Sequence, residues 1–325
     1  MKPRVGFLGV GWIGRHRMEC IARSGVAEIA AIVDPVQENA RAALQAAPGA
    51  RVLPGFAALL EAGLEGVVIA TPSAQHAEQS IAALRRGLAV FCQKPLGRDA
   101  AEVRAVLDAA RAADRLLGVD LSYRFTAAMA EIRRRMPELG EIYGANLVFH
   151  NAYGPDKPWF YDPKLSGGGC VMDLGIHLVD LCLWALDFPR VDTVASTLLA
   201  GGKPLRRGEA CEDYGAAQLR LEGGAVVQLA CSWKLPAGQD CVIEASFYGT
   251  RGGASLRNVG GSFYDFEAFA YRGTSRDLIA RPPDAWGGRA AVAWAEQLAR
   301  QRSFDAASEH LEKTARALDL IYQAS

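Results

Sequence analysis

Short apolar runs alternate with longer, alanine-rich stretches of helical spacing over residues 1–121. Such runs predict β-strands, and the stretches between them predict amphipathic helices. The predicted strands cover residues 5–9, 29–33, 66–70, 89–92 and 116–120, and the predicted helices cover residues 13–24, 36–47, 74–86 and 99–114. Ser73 and Asp99 are expected to be N-caps, and Gly87 is expected to follow a helix in the left-handed conformation. The alternation predicts an α/β fold with a doubly wound parallel sheet and right-handed crossovers.

The pattern changes after Ser122. Runs rich in β-branched and aromatic residues occur near 142–150, 191–199, 213–221, 225–233, 241–248 and 262–271, and helical patterns cover 171–186, 290–300 and 308–324. Glycines and short polar turns link the apolar runs, which is typical of a mostly antiparallel sheet. We therefore expect two domains, an α/β domain at residues 1–121 and an α+β domain with a large open-faced sheet at residues 122–325.

Composition narrows the class of protein. The chain has 325 residues and a formal net charge of zero, with acidic and basic residues interspersed, so no charge pattern typical of nucleic-acid or membrane binding is present. No secretory signal and no membrane-spanning run is predicted. The seven cysteines lack a C-x-x-C pair, which favours a reducing, cytoplasmic compartment with neither a disulfide framework nor a metal site.

A Gly-x-Gly-x-x-Gly turn joins the first predicted strand to the first predicted helix. Gly9 permits the tight turn, Gly11 allows the backbone to approach a pyrophosphate, and Gly14 allows the helix to pack on the strand. The free N–H groups at the helix N-terminus favour phosphate binding. A glycine triplet alone is a weak signal, but here strand, turn, helix and second strand follow in order, which predicts a dinucleotide site.

The second strand ends at Asp34, 20 residues after Gly14. A carboxylate at this position can accept hydrogen bonds from the hydroxyls of the adenosine ribose, and it repels a 2′-phosphate. The next residues, 35–37, carry no cation. We expect NAD as the cofactor, with NADP as the less favoured alternative because Arg15 and Arg41 lie close in sequence.

Ligands of such sheets bind outside the carboxyl ends of the strands. The residues expected to contact the cofactor all follow strand ends or begin helices there; they are Gly9, Gly11, Trp12, Ile13, Gly14, Asp34, Thr71, Pro72, His76, Gln93 and Lys94. For His76, as for His16, the alternative is a first-turn histidine that packs beside the crevice.

Three polar residues are candidates for catalysis. Lys94 ends a strand and precedes Pro95, and its alternative is a solvated loop lysine. Asp173 and His177 are spaced four residues apart, so they share one face of a predicted helix. Their alternative is a buried Asp–His hydrogen bond between helix and sheet. The glycines at 167–169 are expected to let the backbone approach a ligand or cofactor closely.

Further candidates could contact a substrate. His150 and Asn151 end a predicted strand, and the aromatic loop at 153–163 suits a sugar-like ring or, equally, a dimer contact. The complete set of expected substrate contacts is Tyr123, Arg124, His150, Asn151, Trp159, Asp173 and His177, with Trp233 as a further candidate.

Four of these motifs resemble those of the Gfo/Idh/MocA oxidoreductases, the family of glucose–fructose oxidoreductase and inositol dehydrogenase. The resemblance rests on residues 9–14, on 70–72 with His76, on Lys94-Pro95 and on 167–180, and it runs over essentially the whole chain. It implies an N-terminal Rossmann domain that packs on a C-terminal domain with an open-faced sheet, and a homodimer or homotetramer formed through that sheet. It also implies that Lys94, Asp173 and His177 are the active-site polar groups.

The function implied by the resemblance is hydride transfer between a nicotinamide, held between the domains, and a secondary alcohol or ketone of a sugar, cyclitol or related polyol. His177 is expected to take the hydroxyl proton, Lys94 to stabilise charge on the same oxygen, and Asp173 to orient the substrate or His177. The alternatives are a sugar–sugar oxidoreductase, a keto-sugar reductase, a dihydrodiol dehydrogenase or a non-catalytic dinucleotide-binding regulator. One residue departs from the pattern: Gln93 stands where the family usually has Glu, and a neutral amide there should allow a lower pKa for Lys94.

Overall fold

The computed structural model describes residues 2–206 and 208–325. The chain forms two units. The first contains residues up to Ser122 together with Gly287–Glu312, and the second contains Tyr123–Trp286 and Lys313–Ser325.

Six parallel strands form the sheet of the first unit. The strands are Arg4–Leu8 (β1), Glu28–Val33 (β2), Arg51–Val52 (β3), Gly66–Ile69 (β4), Ala89–Cys92 (β5) and Leu117–Val119 (β6). They lie in the order β3-β2-β1-β4-β5-β6, which is the doubly wound dinucleotide-binding order. β4 and β5 are buried along their whole length, as expected for strands covered on both faces.

Helices join these strands. They are Trp12–Ser24 (α1), Gln37–Ala46 (α2), Phe56–Leu60 (α3), Ser73–Arg85 (α4) and Ala100–Ala113 (α5). Asp99 caps α5 as predicted, because its side chain accepts the Glu102 N–H at 2.9 Å. Gly87 follows α4 with φ +78°, also as predicted. The prediction for Ser73 was wrong, since Pro72 precedes the first turn in an extended conformation and Ser73 is already helical.

A segment from near the C-terminus completes the first unit. The helix Arg289–Arg300 (α9) places the buried Trp294 against Phe91, with ring centroids 5.7 Å apart. A Cβ built on Gly66 or on Gly118 would lie within 2.9 Å of the same indole. Trp294 therefore packs across β4, β5 and β6, and the glycines in β4 and β6 leave room for its ring. The expected division, with all of residues 122–325 in one domain, therefore differs from the structure.

The second unit is built on a nine-stranded sheet in the order β15-β14-β13-β12-β7-β11-β10-β8-β9. Its strands are Ile142–Asn151 (β7), Val191–Ala200 (β8), Lys203–Pro204 (β9), Tyr214–Leu221 (β10), Val226–Ser232 (β11), Cys241–Gly249 (β12), Gly253–Asn258 (β13), Phe266–Arg272 (β14) and Ser275–Ala280 (β15). Within this sheet, as far as the structure describes the chain, only β7 and β11 pair in parallel. The sheet is thus mostly antiparallel as predicted, although β9, β13 and β15 were not predicted and the run near 262 begins later, at Phe266.

The remaining α-helices of the described residues are Ala127–Arg135 (α6), Pro163–Ser166 (α7), Ile176–Ala185 (α8) and His310–Gln323 (α10). A π-helical turn, Val171–Gly175, leads directly into α8, and we call the two together the 171–185 helix. The sheet of the second unit buries one face, which carries Leu147, Phe149, Leu229 and Phe247.

The stretch Pro163–Ala185 is long and apolar enough to cross a membrane by length and composition alone. However, 83% of its most apolar 18-residue window is buried inside the protein. Its burial is that of a core helix in a folded domain.

Candidate active site

The glycine turn of the first unit has the geometry that its sequence predicts. Gly9 has φ +88°, and a Cβ on it would lie 2.5 Å from the Ala70 carbonyl oxygen. A Cβ on Gly14 would lie 2.2 Å from the Gly9 carbonyl oxygen. Both glycines are therefore required by the protein's own packing. At Gly11 the nearest atom to such a Cβ is 4.0 Å away, so this position borders open space that a ligand could fill.

The N-terminus of α1 suits an anion. Among residues 2–206 and 208–325, no side chain caps this terminus, and its first turn carries no acid. The first intrahelical bond runs from the Arg15 N–H to the Gly11 carbonyl at 2.9 Å, so the amides of the preceding residues point out of the helix end. Trp12 at this terminus is 66% exposed. These features fit the pyrophosphate of a dinucleotide.

Asp34 closes the turn. One carboxylate oxygen accepts the Val10 N–H at 2.7 Å, and the other accepts the Val36 N–H at 2.9 Å and the Asn39 amide at 3.1 Å. A carboxylate offers about four acceptor positions, so one remains for a ribose hydroxyl. Asn39 was not predicted from the sequence; it lies five residues past Asp34 on the first turn of α2, where no motif marks it.

At the carboxyl end of β4, His76 is buried. Its Nε2 lies 2.7 Å from the Thr71 carbonyl oxygen, and its Nδ1 lies 2.6 Å from the Pro95 carbonyl oxygen. The ring therefore contacts the protein's own backbone, which favours packing over the cofactor contact that we expected. The carbonyls that His76 contacts belong to Thr71 and to Pro95, the residue after Lys94, and both segments were expected at the site. Lys94 itself is half-buried.

Gln93 belongs to a buried polar cluster at the ends of β5 and β6. Its side-chain amide donates to Asp120, which also accepts the Arg17 guanidinium at 2.6 Å and the Ser122 hydroxyl. The Arg17 and Asp120 side chains are 8% and 0% exposed. This cluster was not predicted, and it shows that the Gln93 nitrogen is directed to Asp120.

In the second unit, Asp173 and His177 are partly accessible residues in a mostly buried helix. Every other residue from Val171 to Leu183 is buried, and these two are partly accessible. The four-residue spacing thus places two partly accessible polar groups on one face of the helix, as predicted. The Trp233 indole donates to Asp173 at 3.1 Å, and the Tyr123 ring lies 4.8 Å from the His177 ring, centroid to centroid. Trp233 and Tyr123 are both buried.

Arg124 does not face an open site. Its guanidinium makes two hydrogen bonds to Asp180, whose side chain is 2% exposed, and it stacks 5.1 Å above the Phe188 ring. Asp180 also accepts the Thr314 hydroxyl at 3.2 Å. The arrangement explains Arg124 as the partner of a buried carboxylate, in contrast to the substrate contact that we expected.

His150 points away from the 171–185 helix. Phe149 lies on the helix side, where its ring centroid is 6.1 Å from that of Tyr123, and successive residues of a strand alternate between faces. His150 bonds Ser232 at 2.8 Å on the other face, and burial lowers its pKa. The sequence could not show which face a strand-end residue occupies. The substrate contact expected for His150 is therefore not supported by its position.

The other expected substrate contacts lie at or after the end of β7. Asn151 accepts the Tyr153 N–H at 2.8 Å, which shapes the start of the aromatic loop. Trp159 stacks on Phe160 with ring centroids 3.8 Å apart, and Tyr161 packs edge-on against Trp233. The loop thus reaches Trp233, which holds Asp173. No group of three or more His, Cys, Asp or Glu suited to a metal ion occurs in the part of the chain that the structure describes.

The glycines at 167–169 pack against protein. A Cβ on Gly168 would lie 1.9 Å from the Tyr322 hydroxyl, and one on Gly169 would lie 2.0 Å from the Glu212 carbonyl oxygen. We expected these glycines to let the backbone approach a ligand or cofactor, but the groups that the backbone approaches here are Glu212 and Tyr322. Neither residue was predicted, since both are distant in sequence and belong to no motif.

Two family models match the chain. One, described as the oxidoreductase family with an NAD-binding Rossmann fold, matches residues 3–121. The other, described as the GFO/IDH/MocA C-terminal domain, matches residues 131–255.

Individual proteins are similar over most of the length. D-glucoside 3-dehydrogenase of Escherichia coli is 28% identical over 269 residues, 78% of this chain and 76% of that protein. Inositol 2-dehydrogenase 2 of Saccharopolyspora erythraea is 28% identical over 293 residues, 88% of this chain and 82% of that protein. The crystal structure of a 3-ketoreductase from Actinomadura kijaniata, in complex with NADP, shares the fold with a TM-score of 0.85 at 20% identity, covering 100% of this chain and 98% of that one. The two family models together span most of the sequence, and the chain therefore belongs to the Gfo/Idh/MocA family of oxidoreductases.

Proposed function

We propose that this protein transfers a hydride between NAD and a secondary alcohol or ketone of a sugar, cyclitol or related polyol. The observation that carries the proposal is the pair Asp173 and His177, which are partly accessible while every other residue from Val171 to Leu183 is buried. The similar glucoside and inositol dehydrogenases act on compounds of this class by name, which supports the substrate class.

The glycine turn, the uncapped end of α1 and Asp34 would hold the cofactor. When bound, the nicotinamide supplies the hydride acceptor or donor. The protein's own groups handle the proton. His177 takes the proton of the reacting hydroxyl as general base, and Lys94 donates a hydrogen bond that stabilises the developing charge on that oxygen. Asp173, held by the Trp233 indole, orients the substrate or His177.

Substitution of the proton-transfer residues tests these roles. General base catalysis contributes on the order of 10²–10⁴-fold, so His177→Asn and Lys94→Met should lower kcat by about that factor and leave NADH binding nearly unchanged. Lys203→Met, an exposed lysine on β9, is the matched control. Near-normal turnover of both His177→Asn and Lys94→Met would refute the assignment.

The substrate and cofactor require direct assays. A panel of inositols, aldoses, keto-sugars and glycosides, assayed in both directions, identifies the substrate. Fluorescence titration with NADH and NADPH tests the preference for NAD, which we infer from Asp34. Tighter binding of NADPH would overturn that inference.

We also propose a cytoplasmic homo-oligomer. All seven cysteines, which lie in the described part of the chain, are free, in keeping with a reducing compartment. The sheet of the second unit carries partly or fully exposed side chains on the face opposite its core, among them Asn146, Val148 and Gln228. Light scattering after size exclusion should show a dimer or tetramer, and Val148→Arg on β7 should dissociate it; a monomeric parent protein would refute this proposal.

A further inference from the structure

The 171–185 helix begins with four amides, at residues 169–172, that have no partner within the helix, and each of them donates to another part of the protein. The Gly169 and Val171 N–H groups donate to the two oxygens of the Glu212 carboxylate, each at 2.9 Å. The Cys170 N–H donates to the Glu212 backbone carbonyl at 2.9 Å. The first bond within the helix then runs from the Asp173 N–H to the Gly169 carbonyl. One residue thus receives three of the amides that a helix N-terminus leaves unpaired.

Tyr322, on α10, completes the set. Its hydroxyl accepts the Met172 N–H at 3.1 Å and donates to the Glu212 carboxylate at 2.8 Å. We call Glu212 and Tyr322 together the helix seat. Both residues are buried, so the bonds are shielded from water. A buried carboxylate at a helix N-terminus also compensates the positive end of the helix dipole.

The seat leaves no room for side chains at the start of the helix. A Cβ on Gly168 or Gly169 would lie within 2.0 Å of Tyr322 or Glu212. The backbone of the helix start is therefore locked on three sides, by the carboxylate, the carbonyl and the phenol. Because Glu212 bonds three consecutive amides, a shift of Glu212 would move residues 169–171 together.

Asp173 is the first residue after the seat, and His177 is one turn further along. Displacement of reacting groups by about 1 Å can cost 10²-fold in rate. We propose that Glu212 is a positioning residue that acts through the N-terminus of the 171–185 helix to set Asp173 and His177, with Tyr322 holding Glu212. The inference rests on the proposed function of that pair.

The surroundings of the Glu212 carboxylate act on its pKa in opposing directions. Tyr322, Cys170 and Cys211 interact electrostatically with its carboxylate, and burial raises the pKa of each. Burial also raises the pKa of Glu212, while its hydrogen bonds to Tyr322, Val171 and Gly169 oppose that rise. Three donors converge on its two oxygens, an arrangement that fits the ionised form.

The variants are Glu212→Gln, Tyr322→Phe and the control Glu244→Gln. Glu212→Gln keeps the shape and replaces one acceptor oxygen by an NH₂ group. Tyr322→Phe removes a single hydroxyl and remains informative if the first variant fails to fold. Glu244, on β12, is a partly accessible carboxylate that pairs with Ser246 and Arg257 in the same unit.

Two readouts separate the inference from the proposed function. In turnover assays, Glu212→Gln should lower kcat about 10–100-fold and Tyr322→Phe by a smaller factor, with NADH affinity and the kcat of Glu244→Gln unchanged. The second readout is an NMR titration of the His177 ring, whose signal is assigned with His177→Asn. Val171, bound to the Glu212 carboxylate, lies six helical residues or about 9 Å from His177. Loss of the negative charge in Glu212→Gln should therefore lower the pKa of the imidazole by roughly one unit. The titration needs no activity, so it tests the seat even if the enzyme acts on another substrate.

Unchanged kcat and unchanged His177 titration in both Glu212→Gln and Tyr322→Phe would overturn the inference. So would a loss of kcat in Glu212→Gln that tracks only thermal stability, with the wild-type His177 titration retained.

Discussion

The side-chain amide of Gln93 donates a hydrogen bond to the buried carboxylate of Asp120, which also pairs with Arg17. A glutamate at residue 93 would place a second carboxylate against Asp120, and like charges at this distance raise the pKa of one of them. The amide at residue 93 is therefore matched to the acid at residue 120.

We expect Gln93→Glu to be unstable at high pH. The introduced carboxyl would have a folded-state pKa above its unfolded value, so stability is kept at low pH and is lost as the pH rises through the folded value. Thermal unfolding should show a deficit of about 1–3 kcal/mol at pH 8 that shrinks at pH 5. The double variant Gln93→Glu/Asp120→Asn, which reverses the pair, should regain part of the loss. A deficit that is the same at both pH values would contradict the explanation.

Asp34→Asn should narrow the preference between the two cofactors. It removes the charge that repels a 2′-phosphate and weakens the acceptor for the ribose hydroxyls, so NADH affinity should fall about tenfold and NADPH affinity much less. Because Asp34 also holds the Val10 amide, the control is Asn39→Ala, which removes another hydrogen bond to the same carboxylate without changing its charge. Fluorescence titration measures both affinities. An equal loss for NADH and NADPH would show that the variant only disturbs the turn.

Arg124→Met should lower stability more than it affects substrate binding. It leaves the Asp180 carboxylate buried without its cation, a change that costs about 3–5 kcal/mol in comparable cases. Arg124→Met/Asp180→Leu removes both charges and should be the more stable of the two variants. Urea unfolding measures the difference. If Arg124→Met kept the wild-type stability and raised KM, Arg124 would contact substrate as the sequence first indicated.

Local patterns predicted what depends on neighbours in sequence. The glycine turn with Asp34 spans one strand, one helix and the next strand, and the Asp173–His177 pair depends only on helical spacing. These features follow from short-range geometry. The order of strands and helices that flank these features was predicted from the alternation of apolar runs and helical stretches.

Partners that are distant in sequence could not be predicted in the same way. Glu212 is 43 residues from Gly169, and Tyr322 is 150 residues from Met172. A helix over residues 290–300 was predicted from the sequence, but the glycines that receive Trp294 lie in two separate strands. Arg124 and His150 looked equally suited to a ligand, and only the fold shows that one pairs with Asp180 and the other lies on the opposite face of the sheet.

His76 links two strand ends through a single ring. Both of its nitrogens lie within 2.7 Å of carbonyl oxygens, at Thr71 and Pro95, and a neutral ring can donate to only one of them. Burial lowers the pKa of His76 below its ordinary value of 6.5, and this effect outweighs the two carbonyls, which raise it. The folded protein therefore holds the neutral ring near pH 7.

This histidine should make stability depend on pH. The unfolded chain binds a proton at His76 near pH 6.5 and the folded chain only at lower pH, so stability falls as the pH drops below about 6.5, by up to about 1.4 kcal/mol per pH unit. His76→Phe removes the titration and leaves a buried carbonyl unpaired, which should cost about 1–3 kcal/mol at pH 7.5. Thermal unfolding from pH 7.5 to 5 should show a shallower slope for His76→Phe than for the wild type. His150→Asn removes a second, half-buried histidine whose pKa burial also lowers, so comparing the slopes of the two variants shows how much of the pH dependence belongs to His76. Parallel slopes for the wild type and His76→Phe would mean that the buried ring does not bind its proton differently in the two states.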